Sequence, residues 1–363
     1  MSSGLSIFLS VISLLLTFYA LNRVTDSYFV ESLEMLSRRM RLTSDIAGAS
    51  LMAMGSSAPE LFTSLLALVK GVEYAELGAG TIVGSALFNI LVIVGGTALL
   101  GTAILNWQPA IRDMIFYILS ILLLFYVFSD GLITLTESFF FLGFYIVYLV
   151  ALPIWRRAFP FEDQSESSAE VVMEEEVEDV GNLAWYWWWT VPIDRFFAMI
   201  IPDLGRKPHL YPVVFTLSIV MISLLSWVLV ESGVVLALEL GVPESMIGLT
   251  VLAVGTSVPD LLASLIVARQ GKGDMAVSNA VGSNIFDILV GLGVVWMVII
   301  LYNGEPLPIN TAEISSSVSL LLSSVAALLV IFLLMRWRIG PPVGMLLVSL
   351  YGLYITATLS GWI

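Results

Sequence analysis

Ten apolar runs, each long enough to cross a lipid bilayer, govern what this chain of 363 residues can fold into. A membrane-spanning helix needs about 20 mostly apolar residues. The chain is 58% hydrophobic and only 12% charged, a composition typical of a polytopic membrane protein. We therefore predict an all-α membrane protein with about ten transmembrane helices, at residues 5–36, 43–69, 79–101, 112–130, 134–155, 211–240, 244–268, 277–301, 313–335 and 341–362.

The first and sixth runs are longer than an upright span requires, so we expect both helices to tilt. The first run has no basic segment at its start, and its Glu31-Ser32 pair recurs as Glu231-Ser232 in the sixth run. We therefore interpret it as part of the fold and not as a signal peptide.

Basic residues predict the orientation. Thirteen of the 15 Lys and Arg residues fall in alternate loops, which include the long loop 156–210. The positive-inside rule puts that loop in the cytoplasm and both termini outside, and we expect the plasma membrane. Nine acids within residues 162–179 supply most of the net charge of −14 and are expected to be solvated. The Trp-rich stretch 185–192 is expected to lie along the cytoplasmic interface.

Residue usage excludes several kinds of chemistry. The chain has no cysteine, which excludes disulfides and thiol catalysis, and its one histidine, His209, lies outside the apolar runs. We expect a protein that is not an enzyme, with no cofactor, no nucleic-acid partner and no obligate protein partner.

The chain contains an internal repeat. Residues 48–71 align with 248–271 at nine of 24 identical positions, and 84–95 align with 282–293 at seven of 12. Five spans, an odd number, separate the copies, so the second enters the membrane from the opposite side. Such inverted repeats are typical of secondary transporters, although a duplication in a non-transporter would look the same. We predict a first five-helix repeat at 1–155, a loop region at 156–210 and a second five-helix repeat at 211–363.

Three acids lie deep inside apolar runs. Glu60, Asp260 and Asp287 have no Lys or Arg at similar depth in their own helices, and Arg23 is the one deep basic residue. A charged carboxylate at the bilayer centre costs roughly 2.5–3.5 kcal/mol on insertion scales. The acids must therefore be protonated or face a bound cation in a wet cavity.

Polar residues accompany these acids at helical spacing. Side chains three or four residues apart share a helix face, so each repeat projects oxygen ligands from two helices. The pairs are Ser57 with Glu60, Ser85 with Asn89, Ser257 with Asp260, and Ser283 with Asp287. The alternative is that the serines bond to carbonyls of their own helices, which would leave the acids without a partner.

Two prolines suggest where further ligands come from. Pro59 and Pro259 should break their helices and free carbonyls near Gly55 and Gly255. Irregular backbone at membrane depth is tolerated where it lines a cavity. The sequence thus predicts an all-oxygen cage with a charge of up to −3, suited to a hard cation such as Ca²⁺, which takes about 6–8 oxygen ligands. A soft transition metal is disfavoured.

The two motifs closely resemble those of the cation/calcium exchanger superfamily, and most of all the potassium-dependent sodium/calcium exchangers. The first copy reads "AGASLMAMGSSAPELFTSL" and "GAGTIVGSALFNILVIVG", and the second contains "GLTVLAVGTSVPDLLASL" and "GSNIFDILVGLG". The resemblance implies antiport of Na⁺ against Ca²⁺ with K⁺ co-transport by alternating access. It implies that the acid at Asp287 is tied to K⁺, whereas Asn89 keeps the equivalent position neutral.

The resemblance also implies a ligand set. Glu60 and Asp260 would be the central Ca²⁺ carboxylates, shared with Na⁺. Hydroxyls and carbonyls would complete the central sites, and polar residues of the partner helices would line the flanking sites. The implied residues are Ala53, Ser56, Ser57, Ala253, Thr256 and Ser257 at the centre, and Ser85, Asn89, Ser283 and Asp287 at the flanks.

Other functions remain open at the level of sequence. A proton/calcium antiporter could discharge the same carboxylates by protonation, and a sodium/calcium exchanger could work without K⁺. An intramembrane aspartyl protease also needs two membrane carboxylates, but the one G-x-G-D string, residues 271–274, lies in a basic loop. A passive cation channel is the fourth alternative, although inverted repeats favour alternating access.

Overall fold

The described part of the first half of the chain is almost entirely helical. The computed structural model describes residues 3–40, 53–71, 74–160, 190–269, 273–309 and 312–360. Its elements up to residue 160 are α1 (Ser3–Val24), a π-helical segment (Thr25–Val30), α2 (Glu31–Met40), α3 (Ala53–Ser56), α4 (Ala58–Lys70), α5 (Ala75–Phe88), a π-helical segment (Asn89–Ile93), α6 (Val94–Leu100), β1 (Ala103–Ile104), α7 (Trp107–Val127), β2 (Leu132–Ile133) and α8 (Leu135–Ala158).

The second half repeats this pattern after a short helix. Its elements are α9 (Val191–Ile200), a 3₁₀ turn (Pro208–Leu210), α10 (Tyr211–Leu240), α11 (Glu244–Ile247), a π-helical segment (Gly248–Leu252), α12 (Ala253–Arg269), α13 (Gly273–Phe286), a π-helical segment (Asp287–Leu292), α14 (Gly293–Asn303), β3 (Leu307–Pro308), α15 (Ala312–Leu334), β4 (Arg338–Ile339) and α16 (Pro341–Leu359). The acidic run 162–179 and most of the Trp-rich stretch lie outside the described residues.

Eight of the described helices are long and apolar enough to cross a membrane, and each coincides with a predicted span. They are Gly4–Leu33, Ala75–Leu100, Trp107–Val127, Leu135–Ala158, Pro208–Leu240, Gly273–Asn303, Ile314–Leu334 and Pro341–Leu359. The prediction of an all-α polytopic membrane protein is confirmed. The other two predicted spans, 43–69 and 244–268, carry the first part of each repeated motif.

The motif helices differ from each other in a way that was not predicted. In the first repeat, the chain leaves helical geometry at Ser57, and α4 restarts with Pro59 in its first turn, where a proline needs no hydrogen-bond donor. In the second repeat, helix Ala253–Arg269 runs on through Pro259. The prediction that Pro259 breaks its helix is therefore wrong, because a helix can tolerate the loss of one backbone hydrogen bond by kinking. The irregular turn there is the π-helical segment Gly248–Leu252, upstream.

Two short strand pairs tie the loops of the two halves together. Strand β1 pairs antiparallel with β4, and β2 pairs antiparallel with β3. The pair β1–β4 joins the loop after the third predicted span to the loop after the ninth. The pair β2–β3 joins the loop after the fourth predicted span to the loop after the eighth. In the repeat, the third and fourth spans correspond to the eighth and ninth, so the two strand pairs occupy equivalent positions. This equivalence is consistent with an inverted repeat.

The long helices α1 and α10 pack along each other in opposite directions. The hydroxyl oxygens of Ser13, halfway along α1, and Ser232, in the last third of α10, lie 2.7 Å apart. Just beyond the end of α1, the ring of Phe29 in the π-helical segment stacks on that of Phe215, near the start of α10, with centroids 5.4 Å apart. These helices are the first and sixth predicted spans, and they form a pair beside the motif helices.

Close helix crossings hold the motif helices against each other. The central helix α5 is largely buried, and it crosses the π-helical segment Gly248–Leu252. A side chain at Gly84 would collide with the Leu249 backbone and with the Ala253 Cβ. Small residues at such crossings let membrane helices approach closely.

Gly84→Ala should therefore destabilise the protein. Overpacking a well-packed interior typically costs about 1–3 kcal/mol, so the melting temperature of the purified protein in detergent should fall. Gly282→Ala is the matched control, because Gly282 occupies the equivalent position of the second repeat and its added Cβ would have no neighbour within 4 Å. Equal melting temperatures for the two variants would contradict the assigned crossing.

Candidate functional site

Glu60 lies where the two sequence repeats meet. Its side chain is buried in the first turn of α4. The hydroxyls of Ser85, from the first repeat, and Ser257, from the second, lie 3.4 and 3.3 Å from Glu60 Oε1. The two hydroxyl oxygens are only 2.7 Å from each other. Contacts above 3 Å are long for hydroxyl donors, so the carboxylate keeps most of its capacity to bind another group.

Oxygen atoms at this centre lack hydrogen-bond partners. Within the described part of the chain, no donor reaches Glu60 Oε2, Ser57 Oγ, Asn89 Oδ1 or Asp287 Oδ1. Unpaired buried oxygens are costly, and their concentration in one place indicates a site that receives a ligand or water. Four predicted site residues contribute to it.

The two aspartates are buried beside Glu60. Asp260 is 4% exposed and Asp287 is 1% exposed. Asp260 interacts electrostatically with Glu60, and Asp287 interacts with both. None of the ion pairs found among the described residues involves any of the three. Their mutual repulsion in a weakly polar interior favours a cation among them.

A hydrogen-bond network extends the site on its other side. Asn89 Nδ2 donates to Asn284 Oδ1 at 2.8 Å and approaches Ser283 Oγ at 3.4 Å. Asn284 Nδ2 donates to the Ala86 carbonyl and to the Tyr117 hydroxyl. Neither Asn284 nor Tyr117 was predicted from the sequence as a site residue. A buried amide directly after Ser283, where the first repeat has Ala86, was the signal that could have indicated Asn284.

π-helical turns mark the equivalent flanking residues. One such segment begins at Asn89 and another at Asp287. A π-helical turn widens the helix and re-aims its side chains, and such turns are frequent at functional sites. Helical spacing alone, which assumes 3.6 residues per turn, could not predict them.

Two further predicted residues, Thr256 and Ser283, hydrogen-bond to backbone carbonyls of the chain segments in which they lie. Thr256 is buried, and its hydroxyl donates to the Leu252 carbonyl at 3.0 Å, with the Ala253 carbonyl 3.4 Å away. Ser283 likewise lies 3.3 Å from the Ala280 carbonyl of its own helix. Both hydroxyls thus donate to their own helix and keep their lone pairs as acceptors. Ala53 and Ser56 begin and end the short helix α3.

The acids are less tightly gathered than the expected cage. Among the described residues, no three acidic or histidine side chains come close enough to hold a metal ion together. A cation at this centre would thus depend on hydroxyl, amide and carbonyl oxygens besides carboxylates, which is the ligand set that hard cations prefer.

A family comparison matches both halves of the chain. The model of the family described as "Sodium/calcium exchanger protein" matches residues 10–152 and 210–360. The two matched ranges leave out most of the long loop and include every predicted site residue.

Named relatives match over nearly the whole length. Sodium/potassium/calcium exchanger 4 of Homo sapiens is 27% identical over 96% of this chain and 80% of its own. Sodium/potassium/calcium exchanger 2 of Gallus gallus is 28% identical over 96% of this chain and 77% of its own. A solved structure of the sodium-calcium exchanger NCX_Mj has the same fold, with a TM-score of 0.57 and 23% identity, covering 97% of this chain and 99% of that chain.

Proposed function

Because this chain belongs to the sodium/calcium exchanger protein family, we propose that it is an antiporter that exchanges Na⁺ for Ca²⁺ and carries K⁺ together with Ca²⁺. One observation carries the proposal: the buried Glu60 carboxylate meets hydroxyls from both repeats, Ser85 and Ser257, and has no basic partner among the described residues. The names of the relatives support K⁺ as the third ion.

Charge balance gives each carboxylate a role. Glu60 and Asp260 neutralise Ca²⁺, and Asp287 leaves one negative charge for K⁺. Asn89, at the position equivalent to Asp287, is neutral and is held by Asn284. Because only one of the two equivalent positions carries a charge, the site provides one binding position for a monovalent cation and not two.

The other predicted residues supply neutral ligands in this proposal. Oxygens of Ser57, Ser257 and Thr256 surround the central cation together with backbone carbonyls of α3 and the start of α12. Ser85 and Ser283 line the flanks. The carbonyls belong to Ala53 and Ala253, and Ser56 ends the same short helix α3.

Transport follows from competition for the same carboxylates. Ca²⁺ with K⁺, or several Na⁺, neutralises the acids, and only the neutralised site can pass between the two sides of the membrane at low energetic cost. The paired helices α1 and α10 lie beside the site and are the moving elements in this proposal. The long loop is cytoplasmic, the termini are extracellular, and the membrane is the plasma membrane.

Reconstituted protein tests the proposal directly. Na⁺-loaded proteoliposomes in Na⁺-free medium should take up radioactive Ca²⁺, and external K⁺ should increase the uptake about tenfold, within the range of typical coupling between sites. Uptake that does not depend on external K⁺ would indicate a sodium/calcium exchanger that works without K⁺, and it would contradict the role proposed for Asp287. Uptake driven only by an imposed proton gradient would mean that H⁺, and not Na⁺, is the ion exchanged for Ca²⁺, and it would contradict the proposed reaction.

A further inference from the structure

A tyrosine outside both repeated motifs reaches the hydrogen-bond network beside the site. Tyr117 lies in the middle of α7, and its side chain is fully buried. Helix α7 packs along α13, the helix that carries Asn284, and it contacts the π-helical segment that begins at Asp287. The Tyr117 hydroxyl accepts a hydrogen bond from Asn284 Nδ2 at 2.9 Å. Tyr117 is therefore connected to the site through one buried amide.

The polarity of the Asn284 amide is fixed by its neighbours. Asn284 Nδ2 also donates to the Ala86 carbonyl at 3.2 Å. A backbone carbonyl can only accept a hydrogen bond, so the nitrogen of this amide, and not its oxygen, must face Ala86. The two N–H groups of Asn284 then pair with Ala86 and Tyr117. The amide oxygen is left on the opposite side, where it faces Asn89.

The orientation of Asn284 in turn determines that of Asn89. The Asn284 oxygen can only accept, so the Asn89 nitrogen must point toward it, and the two atoms lie 2.8 Å apart. The same nitrogen approaches Ser283 Oγ at 3.4 Å. The remaining polar atom, Asn89 Oδ1, is buried and has no hydrogen-bond partner within the described part of the chain. An amide oxygen in this state is suited to ligate a hard cation.

The orientation of the Asn89 amide matters because its two ends are opposite in charge and alike in shape. The oxygen attracts a cation, whereas the N–H groups repel one. Packing hardly distinguishes an amide oxygen from an amide nitrogen, so hydrogen bonds must set the orientation. Tyr117 supplies one of the bonds that hold Asn284, and Asn284 holds Asn89.

Helix α7 is itself fixed against its neighbours one turn before Tyr117. Asp113 is buried and forms an ion pair with Arg112 at 2.8 Å. It accepts a hydrogen bond from the Tyr148 hydroxyl of α8 at 3.1 Å. On α13, Ser278 Oγ lies 3.5 Å from the other oxygen of Asp113. These contacts give the Tyr117 hydroxyl a defined position relative to the motif helix.

We propose that Tyr117 is a positioning residue of the cation site, which acts through Asn284 to keep the Asn89 oxygen turned toward the bound ion. The inference rests on the proposed function, in which Asn89 lines the site, and it adds a residue that itself contacts no ion. Loss of an outer residue that orients a metal ligand typically costs about 10- to 100-fold in metal affinity.

Tyr117→Phe removes only the hydroxyl, and binding of radioactive Ca²⁺ to the purified protein in detergent tests its effect. The Kd should rise about tenfold, because Asn284 loses one of the bonds that fix its amide. Tyr351→Phe is the matched control and should leave the Kd unchanged. The Tyr351 ring is also buried and contacts Phe88, next to Asn89, but its hydroxyl has no hydrogen-bond partner among the described residues.

A second substitution separates positioning of the ligand from general loosening of the fold. Asn89→Ala removes the ligand oxygen itself and should raise the Kd at least as much as Tyr117→Phe. The double variant should then bind Ca²⁺ no more weakly than Asn89→Ala alone, since the tyrosine hydroxyl acts through Asn89. If Tyr117→Phe does not accumulate, Asn284→Ala, which copies Ala86 of the first repeat, should give the same rise and the same lack of additivity.

An unchanged Kd in Tyr117→Phe would overturn the inference. An equal rise with and without Asn89→Ala would also overturn it, because the hydroxyl would then have a merely structural role. Wild-type protein that binds no Ca²⁺ would contradict the proposed function as well, whereas normal wild-type binding with an unaltered Tyr117→Phe variant overturns this inference alone.

Discussion

Glu60→Gln and Asp260→Asn should each abolish Ca²⁺ exchange. Each substitution preserves the shape of a buried side chain and removes one of the two charges assigned to Ca²⁺. Removing one partner of a buried charge pair costs about 3–5 kcal/mol, which corresponds to roughly a 100-fold or larger loss in kcat/KM. Na⁺-driven uptake of radioactive Ca²⁺ into proteoliposomes measures this loss.

The stability of the ion-free protein should not fall when the substitution abolishes exchange. Glu60 is buried without a basic partner among the described residues, so the neutral amide removes an uncompensated charge from the empty site. The melting temperature without Ca²⁺ should therefore stay equal or rise, which separates loss of function from loss of folding. Glu305→Gln, in an exposed loop, is the matched control and should leave both quantities unchanged. Robust exchange by either site variant would contradict the central assignment.

Asp287→Asn should remove the dependence on K⁺ and retain Na⁺/Ca²⁺ exchange. The substitution makes the second repeat match the first, where Asn89 occupies the equivalent position, and leaves the two central carboxylates in place. The stimulation by K⁺, expected at about tenfold in the wild type, should fall to none. Uptake of radioactive Ca²⁺ is measured across a series of external K⁺ concentrations at fixed internal Na⁺.

The K⁺ titration also distinguishes a local from a general effect. Asp130→Asn serves as the exposed control and should keep the full K⁺ response. Retained stimulation in Asp287→Asn would assign K⁺ to another residue. Loss of all exchange, at every K⁺ concentration, would instead make Asp287 a carboxylate of the central site, and the charge balance proposed above would be wrong.

The sequence predicted most of the fold because its signals are local and strong. Apolar runs of about 20 residues indicate membrane spans whatever surrounds them, and eight of the ten predicted spans coincide with described helices that are long and apolar enough to cross a membrane. The other two carry the first part of each repeated motif: residues 244–268 are helical throughout, with a π-helical turn at 248–252, and the described part of 43–69 is interrupted at Ser57. Tertiary packing at functional sites often overrides local preference in this way.

Residue spacing and depth predicted the composition of the candidate site. Burial of Glu60, Asp260 and Asp287 agrees with the expectation of charged residues facing an interior site. Spacing did not predict that Thr256 and Ser283 would donate to their own helices while Ser85 and Ser257 approach Glu60. Hydroxyl side chains thus take two different roles, and the role of each depends on its neighbours in the fold.

The sequence by itself determined the membrane-spanning class, the repeat, and which acids lie at depth, because hydropathy and helical periodicity are properties of a few consecutive residues. Only the tertiary structure decided which oxygens meet. Ser85 lies against Ser257, and Asn89 lies against Asn284, because the rotation and distance of one helix relative to another depend on close crossings such as that of Gly84 with Leu249. Those contacts join residues more than 160 positions apart, which no local pattern records.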